Sequence, residues 1–172
     1  LNEIMDIASR IGYNALDIKV IEHLPVDIDE ETLAYLKIRL SINDLKIPIL
    51  YTPYGRFSER DDVECESQMS LLTRYLDLCV KLEAPLLHFS PGGPSPRKAT
   101  DSHFQRAATW IRWLSDAACE RNVRICMETH PGELTETVET TTRLIGMIDR
   151  ENVGVILDFC NYAIYDPCAA DS

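Results

Sequence analysis

Hydrophobic and polar positions along the chain repeat one pattern: an amphipathic stretch, a break at Gly, Asn or Pro, and a short aliphatic run. Apolar residues in the longer stretches recur every three or four positions, as Leu1, Ile4 and Ala8 do, which is typical of helices that bury one face. The short aliphatic runs are typical of buried strands. The pattern predicts helices over residues 1–11, 62–82, 101–120 and 136–148, with another that starts at 29–31, and strands over 15–20, 47–51, 85–89, 123–128 and 153–158.

Residues with known preferences for helix ends sharpen these boundaries. Gly12 follows the first helix as a C-cap, because glycine adopts the left-handed conformation that often ends a helix. The acids at 29–31 favour the start of the second helix through its dipole, and Asp101 is expected to cap the helix that follows it. We expect four aliphatic residues to line the buried face of the second helix: Leu33, Leu36, Ile38 and Leu40.

The strict alternation of helices and strands predicts an α/β fold with a parallel sheet and right-handed crossovers. An open, doubly wound sheet and a (β/α)8 TIM barrel both fit this order. No strand is followed by the Gly-x-Gly-x-x-Gly turn of a dinucleotide-binding sheet, which favours the barrel. A full barrel has eight strands in about 250 residues. With about five strands present, we expect residues 1–172 to form a single, incomplete TIM-barrel domain that lacks the first strand and the last two βα units.

Composition indicates a globular protein that works on small molecules. The 172 residues are 45% hydrophobic and 26% charged, without an apolar run long enough to span a bilayer. The net charge of −11 is spread along the chain and repels phosphate backbones, so we expect no nucleic-acid partner and no membrane partner.

The cysteines and the N-terminus predict a cytoplasmic location. The six cysteines include no Cys-x-x-Cys pair, and most lie inside apolar patterns, where a free thiol acts as a small hydrophobic group. The segment from Leu1 to Asp6 contains acids and no basic residue, so it is not typical of a signal peptide.

Polar residues stand near the ends of several predicted strands, where parallel α/β folds place their active sites. Asp17 lies near the end of the first strand, Tyr51-Thr52 ends the second, and His88, Glu128 and Asp158 end the last three. Alternation places the last three of these side chains on the inward face with core residues. A charged carboxylate there needs compensation, and one bound cation compensates two carboxylates at once. Oxygen ligands from adjacent strands suit Mg²⁺ or Mn²⁺. The alternative is that each acid caps the following helix or pairs with an arginine.

Four segments together resemble the xylose isomerase-like TIM barrel superfamily, which includes sugar-phosphate isomerases and epimerases, inosose dehydratases and the endonuclease IV family. Residues 127–132, Met-Glu-Thr-His-Pro-Gly, resemble its Glu-x-His-x-Gly segment. Residues 155–161 resemble the next ligand strand, which ends in Asp with a His or Asn three residues on. Residues 86–93 resemble a strand that presents a His before a Gly-containing loop, and residues 11–17 resemble the common helix-to-strand junction.

The resemblance implies roles for individual residues. Glu128 would bind a metal ion and transfer protons, and Asp158 would be the second metal ligand. His88, His130 and Asn161 would contact substrate oxygens. The cofactor would be one divalent ion, Mn²⁺ or Mg²⁺ first, with Zn²⁺ or Co²⁺ as alternatives. Family members complete the site with a His and a Glu from the last two strands, and this chain ends before either.

The function expected from the resemblance is isomerisation or epimerisation of a sugar or sugar phosphate. The expected partners are this small molecule and, as one option, further copies of the same chain in a homo-oligomer. Loss of a hydroxyl would instead give a dehydratase, and a truncated barrel could serve as a non-catalytic interaction module. A DNA-repair endonuclease fits poorly. That activity requires three zinc ions and many histidines, whereas strand 47–51 offers none and Asn161 stands where a zinc-binding His is expected.

Overall fold

The computed structural model of the protein describes residues 1–161 and shows one parallel sheet surrounded by helices. The elements, in chain order, are α1 (Asn2–Arg10), β1 (Ile18–Lys19), α2 (Val20–His23), α3 (Glu30–Ile42), β2 (Ile49–Gly55), a 3-10 turn (Phe57–Glu59), α4 (Asp62–Leu82), β3 (Leu86–Ser90), α5 (Asp101–Cys119), β4 (Arg124–Glu128), α6 (Val138–Ile148) and β5 (Val153–Ile156). The five strands lie in the order β1-β2-β3-β4-β5 and every neighbouring pair is parallel. The predicted α/β fold with a parallel sheet is confirmed.

Successive rows of side chains across the sheet have different characters. In one row, Leu50 pairs with Leu87 and Leu87 pairs with Ile125, and all three are buried in the core that also contains helix residues. The next row places Tyr51 beside His88 and His88 beside Cys126. Because side chains alternate between the two faces of a strand, this second row faces away from the first. Glu128 lies two residues beyond Cys126 and so extends the second row towards the carboxyl ends of the strands.

Side chains at the helix starts explain where the helices begin. Asp29 caps α3 by accepting a hydrogen bond from the backbone N–H of Thr32 at 2.7 Å. Asp61 and Glu64 form a reciprocal capping box at the start of α4. Such caps satisfy backbone N–H groups that have no partner within the helix.

Two expectations about the helices were wrong. Helix α5 is capped by Thr100 rather than Asp101, because Thr100 holds the extended conformation while Asp101 is already helical and pairs with Arg143. Ile38 does not line the buried face of α3 and is 56% exposed. Leu33, Leu36 and Leu40 are buried and follow the helical repeat, whereas Ile38 projects from the other side.

Three strand boundaries also differ from the sequence expectation. Strand β1 contains only Ile18–Lys19, so Asp17 lies before it rather than near its end. Strand β2 extends further than expected, to Gly55. Strand β5 ends at Ile156, which leaves Asp158 two residues past its last paired residue. Strands β1 and β5 are the two edges of the sheet, so each has a partner on one side only and its ladder is short. Within residues 1–161, no helix combines the length and apolar character needed to cross a membrane.

Candidate active site

Three neighbouring strands bring Tyr51, His88 and Glu128 together at the carboxyl end of the sheet. The phenol of Tyr51 on β2 donates a hydrogen bond to Oε2 of Glu128 on β4. Between them, on β3, the ring of His88 stacks flat against the ring of Tyr51, with 3.8 Å between the ring centroids and 5° between the planes. His88 and Glu128, the two residues predicted from the sequence, therefore both contact Tyr51, a residue to which the sequence analysis gave no role.

His88 is buried, and its hydrogen bonds fix its tautomer. Nδ1 lies 2.7 Å from the carbonyl oxygen of Thr52, while the hydroxyl of Thr52 donates to the carbonyl oxygen of His88, also at 2.7 Å. Because a carbonyl oxygen only accepts, Nδ1 carries the proton and Nε2 keeps its lone pair. Burial lowers the pKa of His88 to about 4, so the ring is neutral at physiological pH.

Glu128 is half-buried and only one of its carboxylate oxygens is engaged. Oε2 accepts from Tyr51, and no hydrogen bond from residues 1–161 reaches Oε1. Burial, followed by the hydrogen bond and charge of Glu128, raises the pKa of Tyr51 above its ordinary value. The phenol is therefore a protonated donor, and the second oxygen of Glu128 is left for another partner.

Asp158 caps the residues that follow it with one of its two carboxylate oxygens. Its Oδ1 accepts hydrogen bonds from the backbone N–H groups of Cys160 at 2.9 Å and Asn161 at 3.2 Å, which is a capping role. In the described part of the chain no hydrogen bond reaches its Oδ2. Capping uses one oxygen, so it does not exclude a bound cation at the other.

Thr129 holds the ends of β4 and β5 side by side. Its backbone N–H donates to the carbonyl oxygen of Ile156 at 3.1 Å, and its hydroxyl accepts from the backbone N–H of Asp158 at 2.9 Å. The side-chain amide of Asn161 donates to the carbonyl oxygen of Thr129 at 2.9 Å. This buried threonine, which follows Glu128 directly, therefore places the Glu128 and Asp158 segments next to each other.

The two remaining predicted substrate contacts are placed differently. Asn161 lies against Thr129 and Asp158, with its amide N–H engaged and its amide oxygen as the group that remains to contact a ligand. His130 is exposed on the loop after β4, and its Nδ1 lies 2.8 Å from the carbonyl oxygen of Pro131. Its Nε2 is directed away from that contact. The structure thus keeps both residues at the same rim, with Asn161 held more firmly than His130.

A second polar cluster lies at the same end of the sheet and was missed by the sequence analysis. Glu133, only 9% exposed, accepts a hydrogen bond from the hydroxyl of Ser90 at 2.7 Å. Arg56 lies 3.7 Å from Glu133 and 2.5 Å from Glu59. Burial raises the pKa of Glu133, while Ser90, His130 and Arg56 act in the opposite direction. We call Ser90, Glu133 and Arg56 the Glu133 cluster.

Close packing of two loops surrounds the Glu133 cluster. A Cβ atom on Gly93 would lie 2.5 Å from the carbonyl oxygen of Gly132, so only glycine fits where the loop after β3 meets the loop after β4. The backbone N–H of Leu134 donates to the carbonyl oxygen of Gly92 at 2.9 Å. The Glu133 cluster therefore lies within a packed junction between loops.

The open carboxylate oxygens are of the type that holds a hard divalent ion. Glu128 and Asp158 each engage one oxygen and leave one free, on adjacent strand ends. Oxygen donors of this kind suit Mg²⁺ or Mn²⁺, which retain several water or substrate ligands. Residues 1–161 contain no group of three or more His, Cys, Asp or Glu side chains arranged to hold a metal ion. The oxygen-donor chemistry of Glu128 and Asp158 is compatible with such an ion.

Comparison with known proteins places the chain in one family. A family model described as xylose isomerase-like TIM barrel matches residues 5–171. An inosose isomerase from Bacillus velezensis is 22% identical over 160 residues, which is 92% of this chain and 57% of that protein. The chain therefore spans less than two thirds of the length of that curated relative.

Solved structures show the same fold. D-psicose 3-epimerase from Clostridium cellulolyticum, crystallised with D-tagatose, superposes with a TM-score of 0.82 at 18% identity and covers 96% of this chain and 60% of that one. The IolI protein, solved with a bound zinc atom, gives a TM-score of 0.83 at 20% identity, with 96% and 60% coverage. At these identities the likeness shows the fold, and it confirms that the parallel sheet is that of a TIM barrel.

Proposed function

The chain belongs to the xylose isomerase-like TIM barrel family, and on that premise we propose that the protein is a divalent-metal-dependent isomerase or epimerase of a sugar or sugar phosphate. The relatives support this class, since one is an inosose isomerase and another is an epimerase solved with a ketohexose. We further propose that residues 1–172 form part of one barrel domain and that further strands supply the remaining metal ligands.

The observation that carries the proposal is the pair of half-engaged carboxylates on adjacent strand ends. Glu128 and Asp158 would hold the ion through the oxygens that their protein contacts leave free. An ion bound there would supply Lewis acidity, which would acidify the C–H on the carbon next to the substrate carbonyl. The structural role of Asp158 as a cap fixes its other oxygen and so limits the motion of the carboxylate.

Proton transfer falls to Glu128. Its carboxylate takes the proton from the carbon next to the substrate carbonyl. A second acid then returns a proton either to the neighbouring carbon, which isomerises the sugar, or to the opposite face of the same carbon, which gives the epimer. General acid–base catalysis of this kind contributes roughly 10²–10⁴-fold to the rate. A second acid for the return step is expected from another strand of the barrel.

The neighbouring polar side chains would orient the substrate. Neutral His88 offers the lone pair of Nε2 to a substrate hydroxyl, because its Nδ1 proton is held by Thr52. Asn161 offers its amide oxygen, and exposed His130 reaches the substrate from the loop above the site. These contacts would hold the substrate carbonyl and its neighbouring hydroxyl next to the carboxylate of Glu128.

Deuterium exchange tests the proposal before the product is identified. The protein would be incubated in D₂O with Mn²⁺ and a panel of ketohexoses, inososes and their phosphates, and the C–H next to the carbonyl followed by NMR. We expect metal-dependent exchange with at least one compound, loss of exchange in Glu128→Gln, and retention in Glu133→Gln, whose carboxylate has its own protein partners.

The products separate the alternatives. A new ketose or aldose identifies the isomerase or epimerase, whereas loss of a hydroxyl group identifies a dehydratase that shares the first proton abstraction. An interaction module without catalytic activity would show no metal-dependent exchange with any compound in the panel, and that result would contradict the proposal.

A further inference from the structure

We propose that Tyr51 is a positioning residue that fixes the carboxylate of Glu128, so that one oxygen is held by the phenol and the other faces the metal ion and the substrate. This inference rests on the proposed function. It assigns a role to a residue on β2 that no step of the proposed proton transfer uses directly.

The first support is the span of the contact. Tyr51 lies on β2 and Glu128 on β4, and β3 separates these strands in the sheet. The Tyr51 side chain crosses over the intervening strand to donate its hydroxyl proton to Oε2 of Glu128. A contact over this span couples the position of the carboxylate to a strand that is two places away.

The second support is that the phenol is itself held in place. Its ring lies parallel to the ring of His88, with the centroids 3.8 Å apart, and His88 is anchored by its Nδ1 hydrogen bond to the carbonyl oxygen of Thr52. Thr52 returns a hydrogen bond to the backbone of His88. The hydroxyl oxygen of Tyr51 therefore has a defined position from which to orient Glu128.

The third support is chemical. A phenol has an ordinary pKa of about 10 and donates one hydrogen bond at neutral pH. A glutamate side chain has several rotatable bonds, so a metal-binding glutamate is commonly oriented by a hydrogen bond from a neighbouring group. Tyr51 supplies that bond and leaves Oε1 free of hydrogen bonds from the described residues.

Tyr51→Phe is the test, because it removes the hydroxyl and keeps the ring that stacks on His88. The dissociation constant for Mn²⁺ alone would be measured by calorimetric titration, and kcat and KM would be measured on the ketose that shows deuterium exchange. We expect Mn²⁺ affinity and kcat to fall by roughly 10- to 100-fold, as is usual when a hydrogen bond to a metal ligand is lost. We expect KM to change far less than kcat.

Tyr54→Phe is the matched control. Tyr54 lies on the same strand and stacks on Tyr75, with 5.8 Å between the ring centroids, so its substitution also removes a phenol hydroxyl from β2. It should bind Mn²⁺ and turn over substrate as the wild type does.

The outcomes separate this inference from the proposed function. If Glu128→Gln loses Mn²⁺ binding and Tyr51→Phe behaves like Tyr54→Phe, the positioning role is wrong and the proposed function stands. A Tyr51→Phe variant that raises KM alone would make Tyr51 a substrate contact and would also overturn the inference. If Glu128→Gln retains Mn²⁺ binding, the proposed function itself fails. The Mn²⁺ titration needs no substrate, so it tests the role of Tyr51 even if no sugar is turned over.

Discussion

Glu128 and Glu133 both come from β4 and the loop that follows it, yet their surroundings differ. Glu133 is almost fully buried, and its carboxylate is engaged by the Ser90 hydroxyl and by Arg56. Glu128 is half-buried and receives one hydrogen bond, from Tyr51. In the first case the protein provides its own compensation for a buried acid, and in the second it leaves one oxygen free.

The difference supports the proposal that Glu133 is a structural acid and Glu128 a functional one. Partners close to Glu133 hold the loop after β3 against the loop after β4, where Gly93 and Gly132 are in contact. Around Glu128, Tyr51 engages one carboxylate oxygen and leaves the other free of hydrogen bonds from the described residues. Burial alone therefore does not identify the candidate metal ligand, whereas the pattern of engaged and free oxygens does.

The largest expected effect contrasts the two acids directly. Glu128→Gln should weaken Mn²⁺ binding by on the order of 100-fold or more, because losing a ligand costs more than losing a group that orients one. Glu133→Gln should leave Mn²⁺ affinity near that of the wild type. Calorimetric titration of both variants measures the difference, and equal losses would remove the distinction between the two sites.

Acid unfolding should report the burial of His88 in the Glu128 region. Its pKa is lowered from 6.5 to about 4, so the unfolded chain binds this proton first as the pH falls. The stability linked to His88 is complete above pH 6.5 and should be lost by about 3 kcal/mol as the pH falls towards the folded-state pKa. Urea unfolding across this range should show the loss in the wild type and a flatter profile in His88→Gln. Identical profiles would indicate that His88 is solvated.

Removal of a Glu133 partner should have a smaller effect, and on stability alone. Ser90→Ala deletes the hydroxyl that donates to Glu133 and leaves a buried carboxylate with fewer partners. We expect a loss of about 1–3 kcal/mol in the free energy of unfolding, measured by chemical denaturation, with Mn²⁺ affinity unchanged. Weakened Mn²⁺ binding in this variant would mean that the Glu133 cluster belongs to the metal site.

The smallest expected effect is the contribution of Glu133 to the free energy of unfolding, whose pH dependence should be opposite to that of His88. Burial raises the pKa of Glu133 above 4.5, so the folded state binds this proton before the unfolded state does. As the pH falls through the raised pKa, the wild type should gain stability relative to Glu133→Gln, and the gain should level off once the unfolded glutamate is also protonated. The free energies of unfolding of the two proteins would be measured at several pH values. If the wild type instead lost stability relative to Glu133→Gln as the pH fell, burial would not be raising the pKa of Glu133.

The sequence pattern predicted the order of the elements because each helix and strand carries its own periodicity and its own end residues. It also placed His88 and Glu128 at strand ends on one face. Asp158 was expected to end its strand but lies beyond β5, because the sequence does not show where an edge strand loses its partner. Thr100 and Asp101 are both good caps, so their assignment depended on backbone conformation that the sequence does not contain.

Side-chain partners from distant strands could not be predicted. Tyr51 and Glu128 are separated by 77 residues along the chain, and Ser90 and Glu133 by 43. Neither pair has a local motif, since the Tyr51–Glu128 contact depends on the register of the sheet and the Ser90–Glu133 contact depends on how the loop after β4 packs. Sequence analysis therefore found Glu128 but missed Glu133 and the partner residues that distinguish the two acids.

A double-mutant cycle on Mn²⁺ affinity tests most directly whether Glu128 and Asp158 hold the same ion. Affinities would be measured for the wild type, Glu128→Gln, Asp158→Asn and the double variant. We expect a similar large loss in each single variant and little further loss in the double variant, because both substitutions disable one site. Additive losses, or an Asp158→Asn variant that loses stability while it binds Mn²⁺ normally, would contradict a shared metal site and leave Asp158 as a helix cap.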